Sequence, residues 1–293
     1  MFTTLITPEQ LQQLQQLQAS AIPLAVFDCT FDLMNPAAGP QQFAQCHVAG
    51  ARHAHLDHHL SHHPHTAAAD DWPASAGRHP LPSRSTFAAW LGSQGVGNGT
   101  QVVVYDRNGM NYCGRLWWML KWCGHEAVAV LDGGLAAWQA AQGAVESGNS
   151  PAAEPARFEL GEPLATLTDT ATVLAGLGQA SQTVLDARGA PRYRGEVEPL
   201  DPIAGHIPGA LNRPFSDNLG PDGRFKPAAQ LQAEFSALLA GRNPASVVHQ
   251  CGSGVSAVPN LLAMELAGLG RQALYAGSWS EWSRTPGLPV EKG

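Results

Sequence analysis

Residues 246–257 read SVVHQCGSGVSA. A short β-like run, Val247–Val248–His249, leads into Cys251. Gly252, Ser253, Gly254, Val255 and Ser256 follow, and then the apolar segment VPNLLAMELAGLG (258–270) begins. A strand that feeds a small-residue loop and then a helix is the local order of a parallel α/β sheet. In such sheets ligands bind beyond the carboxyl ends of the strands, where Cys251 stands. A turn of small residues points several backbone N–H groups inward. Together with the positive end of the next helix, they favour an anion at their centre. Glycine at 252 and 254 opens backbone conformations closed to other residues. A cysteine held there is favoured as an anionic sulfur, either thiolate or persulfide.

The order recurs. AVFDCT (25–30) matches TVLDAR (183–188), and HVAGA (47–51) matches HIPGA (206–210). VVVYD (102–106) matches SVVHQ-C (246–251), which puts Asp106 where Cys251 stands, and VLDGGLAAW (130–138) matches LYAGSWSEW (274–282). Four blocks in register indicate an internal duplication, two domains of one fold. Strands alternate with helix-like stretches such as KPAAQLQAEFSALLA (226–240), which predicts a largely parallel sheet in each half. The Pro-, Ala- and Glu-rich stretch near 144–163 reads as a linker. The expected domains are 1–145, with an Asp in the nucleophile's place, and 164–293, joined by 146–163.

Bulk properties narrow the function. The chain has 293 residues, 44% of them apolar, with 31 glycines and 22 prolines for many turns. A net charge of −7 without any Lys/Arg run weighs against nucleic acid or an anionic membrane as partner. No long apolar run is present, and the first residues lack a basic start and apolar core, so a soluble, cytoplasmic protein is expected. Cys29, Cys46, Cys113 and Cys123 read as reduced packing thiols, because five widely spaced cysteines without CxxC suit neither a disulfide framework nor a zinc ribbon. His53, His55, His58, His59, His62, His63 and His65 read as a solvated loop, with adventitious metal binding as the alternative. Trp117 and Trp118 read as core, Trp279 and Trp282 as packing beside the active-site helix. Asp186 and Arg188 read equally as an ion pair or as catalytic groups. QLQQLQQLQ after Thr7–Pro8 reads as a capped surface helix.

Two enzyme classes use a cysteine in this setting. Cysteine phosphatases need an arginine six residues on, where this chain has Ala257. Sulfurtransferases need none there. CGSGVSA, with HVAGA, LDGGLAAW, LDAR, RYRG and GHIPGALN, resembles the rhodanese family in its tandem form, of the 3-mercaptopyruvate sulfurtransferase type. The resemblance covers nearly the whole chain. It implies two α/β rhodanese-like domains, each a parallel five-stranded sheet flanked by helices, the first inactive and the second catalytic.

The resemblance also implies roles. Cys251 is the nucleophile that becomes a persulfide. Ser253, His79 and Asp57 form a serine-protease-like relay. Arg192 holds the substrate carboxylate, and Gly252, Gly254, Val255 and Ser256 complete the substrate-binding loop. A second arginine is expected after RYRG, but that place holds Leu200 and Asp201; Arg188 or Arg194 is the substitute offered by the sequence. The implied reaction moves sulfur from a small-molecule donor to cyanide, a thiol or a thioredoxin-like acceptor, with no metal or organic cofactor. The alternatives are a thiosulfate:cyanide sulfurtransferase and a non-catalytic, sulfide-sensing rhodanese module.

Overall fold

The computed structural model describes residues 1–17, 23–62, 74–149 and 152–293. The described residues fall into two compact units. One comprises described residues of 1–72, 82–164 and 222–224; the other comprises those of 73–81, 165–221 and 225–293. A single cut in the chain therefore does not separate them. Residues 74–81, from the first half of the sequence, pack with the second unit.

The first unit holds β1 (Leu5–Ile6), β2 (Leu24–Asp28), β3 (His47–Val48), β4 (Arg52–His53), β5 (Gln101–Tyr105), β6 (Val128–Leu131) and β7 (Val145–Glu146). The second holds β8 (Thr166–Thr168), β9 (Thr183–Asp186), β10 (Leu211–Asn212), β11 (Val247–Gln250) and β12 (Ala273–Tyr275). The main sheets run β1-β6-β5-β2-β4 and β8-β12-β11-β9-β10, every pairing parallel. Strand for strand this is one topology used twice, as the repeat requires. Even the bond beyond the central pair repeats: Cys29 N–H donates to Tyr105 O at 2.7 Å, and Ala187 N–H to Gln250 O at 2.9 Å.

The central strands are buried on both faces, which is why they read as apolar runs rather than alternations. One core of the first unit gathers Val26, Val103, Tyr105, Leu131 and Trp138. In the second unit Val184, Val248, Tyr275, Trp279 and Trp282 pack together. Trp117 and Trp118 are buried as expected, on the helix Cys113–Trp122, all of whose residues are buried. The Gln-rich helix Pro8–Leu17 carries its cap: Gln10 N–H donates to Thr7 Oγ1, and Thr7 N–H to Gln10 Oε1. The linker stretch lies on the first unit through backbone bonds from Ala156 to Gly92, Gly161 to Cys123 and Leu164 to Lys121.

The histidine segment departs from expectation. His55 is buried, and its ring packs edge-on against Phe31. His59 stacks on Trp90 and accepts the N–H of His55 on Nδ1. Burial holds both rings near a pKa of about 4, well below the ordinary imidazole. His55 and His59 thus belong to a packed aromatic cluster with Phe31 and Trp90, distant in sequence, whereas His58 is exposed and His53 and His62 are half-buried, so solvent reaches only part of the segment. His63 and His65 lie outside the described residues. Among the described residues no three His, Cys, Asp or Glu side chains converge as a metal site. None of their helices is long and apolar enough to cross a membrane.

Candidate active site

The loop after β5 shows what this turn does with an anion. Asp106 is 2% exposed. Its Oδ1 accepts the N–H groups of Asn108 at 2.8 Å and Met110 at 2.9 Å, and its Oδ2 those of Tyr112 at 2.8 Å and Cys113 at 2.9 Å. Burial lifts the carboxyl above its ordinary range, and the four bonds oppose that rise. The loop after β11 makes a similar turn, with Gly254 at φ +72° where Gly109 has +69°, although Val255 lacks the positive φ of Met110. Counted from Cys251, the corresponding N–H groups belong to Ser253, Val255, Ala257 and Val258.

Cys251 is 1% exposed. Residues 276–280 form the floor beneath it. Trp279 N–H donates to Cys251 O at 3.0 Å, and Ser280 N–H to Gly252 O at 2.9 Å. The Cys251 N–H donates to Ser278 Oγ at 3.1 Å. Gly254 must be glycine twice over, for its positive φ and because a Cβ there would stand 2.3 Å from Ala276 O.

His79 reaches this loop from the segment 74–81. Its Nδ1 lies 2.7 Å from Ser253 Oγ, with both residues buried. The sequence reading placed His79 on a loop of the first domain; its packing places it in the second unit, beside the cysteine. Asp57 belongs to the first unit, in the opening turn of the short helix Leu56–His59, where its N–H donates to His55 Nδ1.

The arginines sort themselves by their partners. Arg192 grips Glu198 with Nε at 3.2 Å and Nη2 at 2.7 Å, and Nη2 also reaches Asp201 at 3.3 Å. Its Nη1 would lie 3.4 Å from a Cβ on Gly252. Arg188 is not free to hold a substrate. It is 3% exposed, paired with Asp186 at 2.7 Å, bonded to Glu198 and Gly205 O, and stacked on the Trp279 ring. Of the two readings for Asp186 and Arg188, the buried ion pair is the one this geometry serves. Arg194 pairs with Glu196 in solvent.

The second guanidinium comes from Arg78, which the sequence reading missed. Its Nη1 donates to Asp201 Oδ1 at 2.9 Å, and its Nη2 would lie 3.1 Å from a Cβ on Gly252. The Arg78 N–H is fixed on Ser280 Oγ at 2.9 Å. Asp201, standing in the region where an arginine was sought, thus holds two arginines against the cysteine loop. Arg284 approaches the same carboxylate at 3.5 Å. Among the described residues, Arg78, Arg188, Arg192 and Arg284 face Asp186, Glu198 and Asp201, four cations against three carboxylates. The available signal was adjacency: Arg78 directly precedes His79.

A cavity of about 650 Å³ opens along β8 and β12, lined by Thr168, Asp169, Gln182, Val248 and Glu281 among others; Cys251 does not line it.

The rhodanese-like domain family matches residues 7–141 and again 169–285. A probable 3-mercaptopyruvate sulfurtransferase of Pseudomonas aeruginosa is 47% identical over 288 residues, 97% of this chain and 98% of that protein. A putative thiosulfate sulfurtransferase of Mycobacterium tuberculosis is 37% identical over 272 residues, covering 92% of each. The solved 3-mercaptopyruvate sulfurtransferase of Leishmania major superposes with a TM-score of 0.79 at 29% identity, covering 98% of this chain and 76% of that one.

Proposed function

Because the chain belongs to the rhodanese family and is a sulfurtransferase, we propose that it takes sulfur from 3-mercaptopyruvate and passes it on through a persulfide on Cys251. The Cys251 thiolate attacks the donor's thiol sulfur. The S–S bond forms as the donor's C–S bond breaks, and the electron pair leaves on carbon as the enolate of pyruvate. The loop's N–H groups hold the persulfide as their counterparts hold the Asp106 carboxylate. Arg192 and Arg78 receive the donor carboxylate. An acceptor nucleophile (cyanide, a small thiol or a thioredoxin-like protein) then removes the outer sulfur and restores the thiolate. The first unit is catalytically silent in this reading, since Asp106 fills its loop.

The observation that carries the choice of donor is the 2.7 Å contact between His79 Nδ1 and Ser253 Oγ. An enolate must be protonated, and a hydroxyl backed by an imidazole delivers a proton. Sulfite leaving from thiosulfate needs no proton. Charge does not separate the donors. The loop itself is neutral, but two guanidiniums beside it suit a dianion as well as a carboxylate, which favours thiosulfate as the second reading.

The test is single-turnover persulfide formation with each donor in Ser253→Ala and His79→Asn. General acid–base groups contribute about 10²–10⁴-fold. Mercaptopyruvate should slow by that order while thiosulfate is spared. Equal slowing of both donors, or a parent enzyme that prefers thiosulfate, would sink the reading.

A further inference from the structure

Ser278 sits at φ +53°, a left-handed conformation that L side chains rarely adopt, and it is fully buried. In the first repeat the matching residue is Gly134, at φ +57°. There glycine is required, since a Cβ at 134 would stand 2.3 Å from Asp106 O. The second repeat keeps the strained backbone and yet places a serine on it. A residue held against its conformational preference at a functional loop points to a use for its side chain.

That use is visible in the bonds. Ser278 Oγ accepts the N–H of Cys251 at 3.1 Å and donates to Tyr275 O at 2.9 Å. The hydroxyl is thus satisfied in both senses, and it ties the backbone of the cysteine to the end of β12. The first loop has no need of this tie, because the Asp106 side chain anchors itself through four N–H bonds. A thiol that must react cannot anchor its own loop in that way.

We propose that Ser278 is a positioning residue for Cys251: its hydroxyl replaces, from outside the loop, the anchor that Asp106 supplies from within. The proposal rests on the reading of Cys251 as the nucleophile. It gives a reason for the glycine-to-serine difference between the repeats.

Ser278→Gly tests it, because glycine suits the positive φ, and the relieved backbone offsets part of the cost of leaving the Cys251 N–H without its acceptor, so the variant should stay folded and melt close to the parent. Its kcat with mercaptopyruvate should fall about tenfold, a barrier change small enough to come from orientation alone. Its KM should be unchanged, because Arg78 and Arg192 are untouched. Alkylation of Cys251 by iodoacetamide in the resting enzyme should slow by a similar factor. Ser278→Ala, which keeps the Cβ and loses the hydroxyl, should show the same kcat loss. Parent-like kcat and alkylation in Ser278→Gly would overturn the proposal. So would a kcat loss in Ser278→Gly with alkylation at the parental rate, which would place the defect away from the thiol. If the parent moved no sulfur from any donor, the proposed function would fail, while the alkylation rates would still report on Ser278.

Discussion

Arg78 and Asp201 are joined by an ion pair, Nη1 to Oδ1 at 2.9 Å, across 123 positions of sequence. The pair brings a guanidinium to the cysteine loop although no arginine follows RYRG at Leu200 or Asp201. Asp201 is buried and serves Arg192 as well, so one carboxylate orients both cations.

Arg78→Ala and Arg192→Ala should therefore each raise the KM for mercaptopyruvate. A hydrogen bond to a charged group is worth about 1.5–3 kcal/mol, or roughly one to two decades in affinity. Asp201→Asn should raise KM too, by loosening both arginines. Leu200→Arg should gain less than either loss, because the loop already has its second guanidinium. Steady-state kinetics decide this; an Arg78→Ala enzyme with parental KM would remove that residue from the donor site.

Asp106→Ala should destabilise the first unit. Four N–H groups lose their acceptor, and each donor left buried without a partner costs about 1–3 kcal/mol, less where the loop relaxes or water enters. Urea denaturation should show a loss of several kcal/mol in total, on the order of the large single-site effects. Formate, a small carboxylate, should restore part of it. Unaltered stability would mean that the cradle does not depend on an anion.

Acid should weaken both units through neutral, buried histidines. Burial, helped by repulsion from neighbouring histidines, holds His55 and His59 near pKa 4, and burial alone holds His249 near 3. Below an ordinary pKa of about 6.5 the unfolded chain takes up protons that the folded chain refuses. Stability from these groups is thus full above that pH and is lost as pH falls toward the folded values. Neither His249 ring nitrogen has a hydrogen-bond partner among the described residues, so His249→Leu removes a titrating group without breaking a bond. Its melting temperature should fall less between pH 6.5 and 4 than that of the parent. Parallel curves for the two proteins would show that His249 does not contribute.

Cys251→Ser should abolish turnover with an unchanged melt, since glycines and the 276–280 floor shape the loop. Cys46→Ser, half-buried on the first unit, should retain activity. Near-normal turnover in Cys251→Ser would end the persulfide mechanism.

Much was legible in the amino-acid order because it depends on neighbours along the chain. The duplicated blocks, the apolar central strands, the turn after β11 and the Thr7 cap are set by spacing, steric freedom and local hydrogen bonding. Asp106 in place of a cysteine was also visible, as was the Ser253 loop. The packing of His55 and His59 was not legible, because polar residues are solvated only if the fold leaves them so, and Phe31 and Trp90 come to these two from elsewhere in the chain.

What only tertiary structure decided are the meetings of distant residues. Parallel strands cannot be joined by a tight turn, so each crossover returns the chain to the same sheet end from far away in sequence. That topology sets Ser278 under Cys251, from 27 residues on. Segment 74–81 is detached from the fold of its own half and brings Arg78 and His79 to Asp201 and Ser253. Arg188 and Arg192 lie four residues apart, yet the first is locked between Asp186 and Trp279 while the second keeps a nitrogen toward the loop. Residue type supplies a charge or a hydroxyl; the fold determines which partner it meets and whether any of it remains for a substrate.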